Sequence, residues 1–471
     1  MDFLRAHRLE IALFAFALLV RMVSLGIDIS GTHGSLIQTV RGDDGYYQLS
    51  NNLLAGRGFS ADPAPPYVPT ALRTPGYIYF LVAILWASGS YLVLTIVQLL
   101  LGALVPLLGR RVALAFNASK SIALAVGIFL ALEPTFVIFS YCFGVETLFL
   151  VLFFPFLILF MRYLREPSTR TLALSALLLG LATIVKPTSE YLPILLLPFL
   201  IYAAWGKSAK QIGLHVFLFL TIPFAILAPW IWRNYEVFGV AAVTSQEPYA
   251  LYAYLAPSVI ALQTGEDFNT EFSSFTTDAE RGGDAITLTN GAAYKAKALT
   301  IIEGHPKGLV LSGLMTIAGF FTQDGVLPFL QHAGIGVGAK LSRPALQLLF
   351  ADPLALMKTI GEVAASPLIL VLVYRLALVL LTLLFLIGAI LRLRKNPRDL
   401  SLWLALILVA YLVLTSVPGA LGVNSRYRMP VEPLMLVLAF EALRAMTTKF
   451  FPRGGETNAS RRAATGTTSR S

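Results

Sequence analysis

Arg41-Gly42-Asp43-Asp44-Gly45-Tyr46-Tyr47 puts two adjacent carboxylates just after the first long apolar run, and the stretch closes with Gly56-Arg57-Gly58-Phe59-Ser60. A helix starting near Asp43 sets Asp43 and Tyr47 four residues apart on one face. Leu49, Leu53 and Leu54 then form its apolar stripe. Acids beside a lipid surface are desolvated, which raises the energy of their charged form. The pair therefore has two readings. It is a helix N-cap in a solvated loop, a position that suits Asp, or it is a working acid pair at a membrane face.

The surroundings bear on that choice. The chain has 471 residues, 56% of them hydrophobic and 13% charged, where a soluble domain has roughly 25% charged. Its mean hydropathy is +0.73. Apolar runs long enough to cross a hydrocarbon core of about 30 Å recur along it, as in a polytopic helical membrane protein. The net charge of +10 is not a nucleic-acid footprint, because Lys and Arg cluster between the apolar runs, where topology signals lie. Cys142, the one cysteine, excludes an intramolecular disulfide framework and reads as packing. The first run has no short core followed by a small-residue cleavage site, so it reads as an uncleaved anchor.

Taken in order, the apolar runs predict an all-α protein with about ten transmembrane helices and both ends inside. They fall at about 9–27, 91–108, 121–139, 146–162, 171–185, 188–205, 212–230, 367–391, 400–417 and from Pro430 to about 442. Residues 1–233 form an N-terminal transmembrane module whose first loop, 28–90, faces outward. In that loop Pro63, Pro65, Pro66 and Pro69 mark irregular chain. Arg73-Thr74-Pro75-Gly76-Tyr77 opens an apolar segment too short to cross, hence an interfacial or re-entrant helix. Residues 234–365 turn polar and read as a small extracytoplasmic subdomain, within which 309–321 are apolar but short. Residues 366–445 supply the C-terminal transmembrane helices and 446–471 a disordered cytoplasmic tail. Arg375, in the outer part of its span, either snorkels or serves a site. There is no internal repeat of the kind found in symmetric transporters.

This topology brings four polar groups to the outer face: Asp43/Asp44, Glu146, Lys186 with Arg233, and Arg426/Arg428. Carboxylates can take a proton from an acceptor hydroxyl or amine. Arginine binds phosphate through two donors and can stabilise a leaving group's charge. A base and a phosphate clamp at an outer membrane interface fit sugar transfer from a lipid-linked phosphosugar. Simpler readings stay open. Glu146 also suits a helix N-terminus electrostatically, and Arg233, Arg426 and Arg428 also suit interfacial anchoring. His7, His33, His215, His305 and His332 are too scattered for a zinc pattern.

In its motifs the chain resembles the GT-C glycosyltransferases, in particular the bacterial branch related to dolichyl-phosphate-mannose protein mannosyltransferases and the lipid A aminoarabinose transferase. The matching residues are Asp43 with Tyr47, Asn52-Leu53-Leu54, Gly56-x-Gly58-Phe59, Arg73-x-Pro75-Gly76-Tyr77 and Glu146-Thr147-Leu148-Phe149. Gly180-Leu181-Ala182 before Lys186-Pro187, Pro229-Trp230 with Arg233-Asn234, and Arg426-Tyr427-Arg428-x-Pro430 with Glu432-Pro433 complete the set. They run in order from about 10 to 445. The resemblance implies a GT-C fold with Asp43 as the catalytic base or acceptor-orienting group, Asp44 beside it, and Glu146 as a second acid orienting the acceptor or a metal. It implies that Arg426, Arg428, Lys186 and Arg233 bind the donor phosphate and that Tyr47, Arg73, Tyr77 and Tyr427 line the substrate pocket. Relatives often carry Asp-Glu where this chain has Asp43-Asp44, and Arg where it has Lys186, which keeps the charge but not the bidentate fork.

The expected function is an inverting glycosyltransferase in a bacterial inner membrane. It would move a sugar from a polyprenyl-phosphate donor to a lipid, glycan or protein acceptor on the periplasmic face. No ligand motif specifies a divalent metal, so the cofactor is left open, and no nucleic-acid partner is expected. The competing expectations are a transporter or flippase of a lipid-linked saccharide, with charged groups along a transmembrane path, and a non-catalytic assembly partner.

Overall fold

The computed structural model describes residues 7–32, 34–42, 44–280, 285–335, 353–364, 366–422 and 425–450. Asp43, His33 and tail residues 451–471 lie outside the described residues. Among those described there is no strand. The helices of nine residues or more are α1 (Arg8–Gly31), α2 (Tyr46–Leu54), α3 (Pro75–Ser88), α4 (Tyr91–Ala115), α5 (Lys120–Leu132), α6 (Glu146–Arg165), α7 (Thr169–Val185) and α8 (Ala209–Phe238). They continue with α9 (Ala256–Thr264), α10 (Phe268–Glu280), α11 (Gly291–Gly304), α12 (Pro306–Thr322), α13 (Pro353–Ala364), α14 (Ile369–Lys395), α15 (Leu400–Ser416) and α16 (Glu432–Phe450).

Among the described residues, six helical runs are long and apolar enough to cross a membrane: α1, α4, α6, α8, α14 and Leu400–Leu421. α3, α5, α7 and α12 are apolar but shorter. This is an all-α polytopic membrane fold. Sequence and structure part at several helix ends. The expected span at 121–139 breaks at Glu133-Pro134, where the Glu133 carboxylate accepts from the Phe136 amide at 3.0 Å. The expected span at 188–205 is a 3-10 turn, Pro187–Ser189, followed by the short helices Leu192–Leu195 and Leu197–Ala203. Pro193 and Pro198 each sit in the first turn of a new helix, where a missing amide donor does no harm. α16 runs on to Phe450, five residues into the stretch expected as tail.

The bundle core is aromatic along α6. Phe149, Phe153, Phe156 and Phe160 recur three or four residues apart, so they share one face, with successive ring centroids 5.0, 5.3 and 5.8 Å apart. α7 packs against α6 and α8, and α4 against α1, α5 and α6. The two ends of the bundle differ chemically. At the end where α6 finishes, Arg165 donates to the Ala115 carbonyl at 2.7 Å and Arg392 to Asp399 at 2.8 Å. Arg110 and Arg111 meet Glu10 at 3.3 and 3.4 Å there. At the opposite end, where α6 begins and α7 finishes, the first loop folds over the helices. A second, smaller hydrophobic cluster, built on Tyr252, Val259, Tyr294 and Ile302 with Ala420, holds α9 and α11 together.

That loop is fastened by backbone acceptors. Arg233 donates to the Thr70 carbonyl at 3.0 Å, Thr244 to Leu72 at 2.9 Å and Thr74 to Val185 at 2.9 Å. Asn234, fully buried, donates to Ala242 at 2.8 Å, and Trp230 donates to Val243 at 2.8 Å. Gly76 is required at its crossing, because a Cβ there would stand 2.7 Å from the Ile184 carbonyl oxygen.

Candidate functional site

The first loop delivers its acid from a bend rather than from a helix. Gly42 and Gly45 have φ of +61° and +79°, the left-handed region that glycine enters freely. α2 therefore begins at Tyr46, after both acids, with Gly45 as its N-cap. This corrects the expected helix start near Asp43; the expected pairing of Asp43 with Tyr47 lies outside the described residues. The Phe143 amide donates to Val40 at 2.7 Å and ties the bend to the segment that leads into α6.

Asp44 lies between two guanidinium groups. Its Oδ2 accepts from Arg426 Nη1 at 2.7 Å and its Oδ1 from Arg73 Nη2 at 3.3 Å. Arg73 Nε also donates to the Asp44 backbone carbonyl at 3.1 Å. Glu146, on the first turn of α6 and 3% exposed, meets Lys186 Nζ at 3.2 Å and Arg426 Nη1 at 3.9 Å, both through Oε1. Its Oε2 is buried without a hydrogen-bond partner among the described residues. Three cations thus face two carboxylates, drawn from the first loop, the start of α6, the end of α7 and the turn before α16.

Aromatic rings frame the ions. Arg73 lies over Tyr46 at 5.3 Å, Arg426 over Phe139 at 5.2 Å, and Lys186 Nζ is 5.9 Å from the centroids of both Phe149 and Tyr427. Tyr46 packs edge-on against Tyr77 at 5.1 Å, and the Tyr77 hydroxyl donates to Gln98 at 3.2 Å. Desolvation opposes the charge on Asp44, but Arg426 and Arg73 outweigh it and hold its carboxyl below the ordinary range. Desolvation likewise opposes the charge on Arg426, and Glu146 and Asp44 outweigh it.

Of the expected site residues, Asp44, Glu146, Lys186, Arg426, Arg73 and Tyr427 come together. Tyr77 lies beneath them, 1% exposed, as floor rather than wall. Tyr47 turns to Tyr91, ring centroids 5.5 Å apart. Arg233 stacks over Trp230 at 4.7 Å and Phe59 at 5.5 Å and braces the loop. It is a fastener, not a member of the cluster. Arg428 corrects the sequence reading most clearly. It is 2% exposed and its Nη1 donates to the carbonyls of Phe320, Phe321 and Gln323 at 3.1, 3.2 and 3.1 Å. It therefore caps the C-terminal end of α12, where the dipole favours a cation. Its Nε lies 3.3 Å from Glu432 Oε2 without hydrogen-bond geometry. Beside this pair is a cavity of about 20 Å³ lined by Leu378, Thr382 and Met435, room for about one water.

Two contacts escaped the sequence. Tyr46 supports Arg73, a role hidden because the spacing from Asp43 selects Tyr47. Arg375 neither snorkels nor joins the cluster: its Nε donates to the buried Asp324 at 2.6 Å. Among the described residues no three His, Cys, Asp or Glu side chains gather as a metal site.

No protein-family model matches the chain, and no curated protein does. Among solved structures it is similar to oligosaccharyltransferases. The apo enzyme from Archaeoglobus fulgidus aligns at 13% identity and a TM-score of 0.46, over 95% of this chain and 54% of that one. The oligosaccharyltransferase AglB of the same organism, in complex with an inhibitory peptide and a dolichol-phosphate, aligns at 13% identity and 0.45, over 96% and 52%. The chain spans about half the length of the structures it matches.

Proposed function

We propose that this protein is an integral-membrane glycosyltransferase of the GT-C class. It takes a sugar from a polyprenyl-phosphate carrier and delivers it to a hydroxyl or amine acceptor at the periplasmic face of a bacterial inner membrane. The observation that carries this reading is the meeting of Asp44 and Glu146 with Arg73, Lys186 and Arg426 at one end of the bundle. The other end is basic, as the cytoplasmic side of a membrane protein is.

The chemistry follows from the charges. The acceptor oxygen or nitrogen attacks the anomeric carbon opposite the phosphate, so one displacement inverts that centre. The bond from the anomeric carbon to the phosphate oxygen breaks, and its electron pair stays on the phosphate. The acceptor proton passes to a first-loop carboxylate, Asp44 or its neighbour Asp43. Arg73, Lys186 and Arg426 balance the charge that grows on the departing phosphate. Glu146 holds Lys186 and Arg426 in place. Translocation is disfavoured because Arg21, the buried cation of α1, is engaged by the carbonyls of Ala17, Ala131 and Phe136 at 3.0, 3.3 and 3.4 Å, rather than lining a path.

The test is transfer of radiolabelled sugar from synthetic polyprenyl-phosphate hexoses and pentoses to envelope glycans and glycolipids, by protein in liposomes. The expected result is label transfer, reduced about a hundredfold or more in Arg426→Gln. No transfer from any such donor by folded protein, with saccharide flux across the same liposomes, would overturn the reading.

A further inference from the structure

We propose that Arg73 and Arg426 form the seat of the donor's phosphate, and that in the ligand-free protein this seat is filled by the protein's own Asp44 carboxylate, which the incoming phosphate displaces. The inference rests on the transferase reading and specifies how its donor site works.

The geometry is that of an occupied anion site. The two Asp44 oxygens are divided between two guanidinium groups, Oδ2 on Arg426 at 2.7 Å and Oδ1 on Arg73 at 3.3 Å. Two oxygens of a phosphate make the same pair of contacts, because guanidinium donors suit both anions. Arg426 need not move when the carboxylate leaves, since Glu146 Oε1 lies 3.9 Å from the same Nη1 and also holds Lys186 at 3.2 Å. Arg73 is likewise held, over the Tyr46 ring at 5.3 Å and by the Asp44 backbone carbonyl at 3.1 Å. The Asp44 carboxylate can swing about its own side-chain bonds while its backbone carbonyl stays on Arg73, because the side chain is 31% exposed.

The exchange is balanced in charge. A lipid phosphosugar is a phosphodiester with one negative charge, the same as the carboxylate it replaces. Release of the sugar leaves a lipid monophosphate with a charge of about −1.5 to −2. The return of Asp44 then supplies a competing anion that helps the product leave. A carboxylate held by two guanidinium groups is a weak base, and displacement removes that restraint. Donor binding thereby readies Asp44 for the acceptor proton, and the donor binds first.

The experiment measures binding of farnesyl phosphate to the full chain in detergent, with farnesol as the uncharged control. Asp44→Asn is expected to tighten farnesyl phosphate binding about tenfold, and Arg73→Gln and Arg426→Gln each to weaken it about tenfold. Farnesol binding is expected to be the same in all. Unchanged or weaker binding in Asp44→Asn overturns the proposal, as does unchanged binding in Arg73→Gln. Should Asp44→Asn not fold, a structure of the wild type with farnesyl phosphate decides. Phosphate between Arg73 and Arg426, with Asp44 beyond hydrogen-bond distance of both, supports the exchange; an intact Asp44–Arg426 bond overturns it. Tightening by Asp44→Asn in a protein that transfers no sugar would keep the anion seat and remove the transferase reading. Transfer by the wild type without tightening would do the reverse.

Discussion

Asp44 Oδ2 and Arg426 Nη1 meet at 2.7 Å although 382 positions of sequence separate them. The bond ties the first loop to the turn before α16, in addition to the backbone contacts that fasten the loop to α7 and α8. It also sets an acid limit. The folded carboxyl lies below its ordinary 3.8 because the two arginines outweigh desolvation. A depressed carboxyl contributes stability above its unfolded value and loses it as pH falls toward the folded value. Thermal unfolding midpoints in detergent are expected to be flat in this contribution above about pH 5 and to fall below about pH 4. In Asp44→Asn the fall should be shallower, measured as the difference between the two pH profiles.

Lys186 should tolerate a change of shape better than a loss of charge. Lys186→Met leaves the Glu146 charge buried with Arg426 3.9 Å away as its remaining cation, and removing one member of a buried pair costs about 3 kcal/mol or more. Lys186→Arg keeps the charge and should keep most of the stability. Chemical unfolding of the purified variants gives the comparison.

Arg428 and Arg426 should separate cleanly. Arg428→Met strips the cap from the carbonyls of Phe320, Phe321 and Gln323 and leaves Glu432 buried, so stability should drop by about 3–5 kcal/mol. Farnesyl phosphate affinity per folded molecule should stay at the wild-type value. A tenfold loss of affinity in Arg428→Met would place this residue at the phosphate after all.

Gly388 in α14 faces α16 so closely that a Cβ would overlap the Leu438 carbonyl. Small residues allow such helix contacts. Gly388→Ala is expected to lower the unfolding midpoint by several degrees, because it forces the helices apart. Gly361→Ala, in open space on α13, should leave it unchanged or raise it slightly.

The helical class and most of the ionic cluster are legible in the sequence, because long apolar runs mark helices and the Lys and Arg residues between them mark one end of the bundle. Asp44, Glu146, Lys186 and Arg426 could be assigned to one end on that basis. The Arg426-Tyr427-Arg428 run could not be divided by reading alone. Its two arginines are two residues apart in a tight turn, and which one faces the loop depends on where α12 ends, more than a hundred residues earlier. Arg233 differs from the phosphate-binding expectation for a related reason: its partner is a backbone carbonyl of Thr70, and carbonyls carry no sequence signature. Two misreadings had visible signals. Gly45 announces that α2 starts after the acids, and Pro193 with Pro198 announces the broken segment after Lys186.

The hydrogen bond from Thr74 to the Val185 carbonyl has a consequence for how such a protein can diversify. Its two ends stand next to Arg73 and Lys186 in the chain, so one hydroxyl acts as a yardstick between two positive charges. Their separation is then inherited from the buried scaffold. Under the proposed transferase reading, changes in α9, α10 and α11 would leave that separation, and with it the charge around the phosphate, untouched.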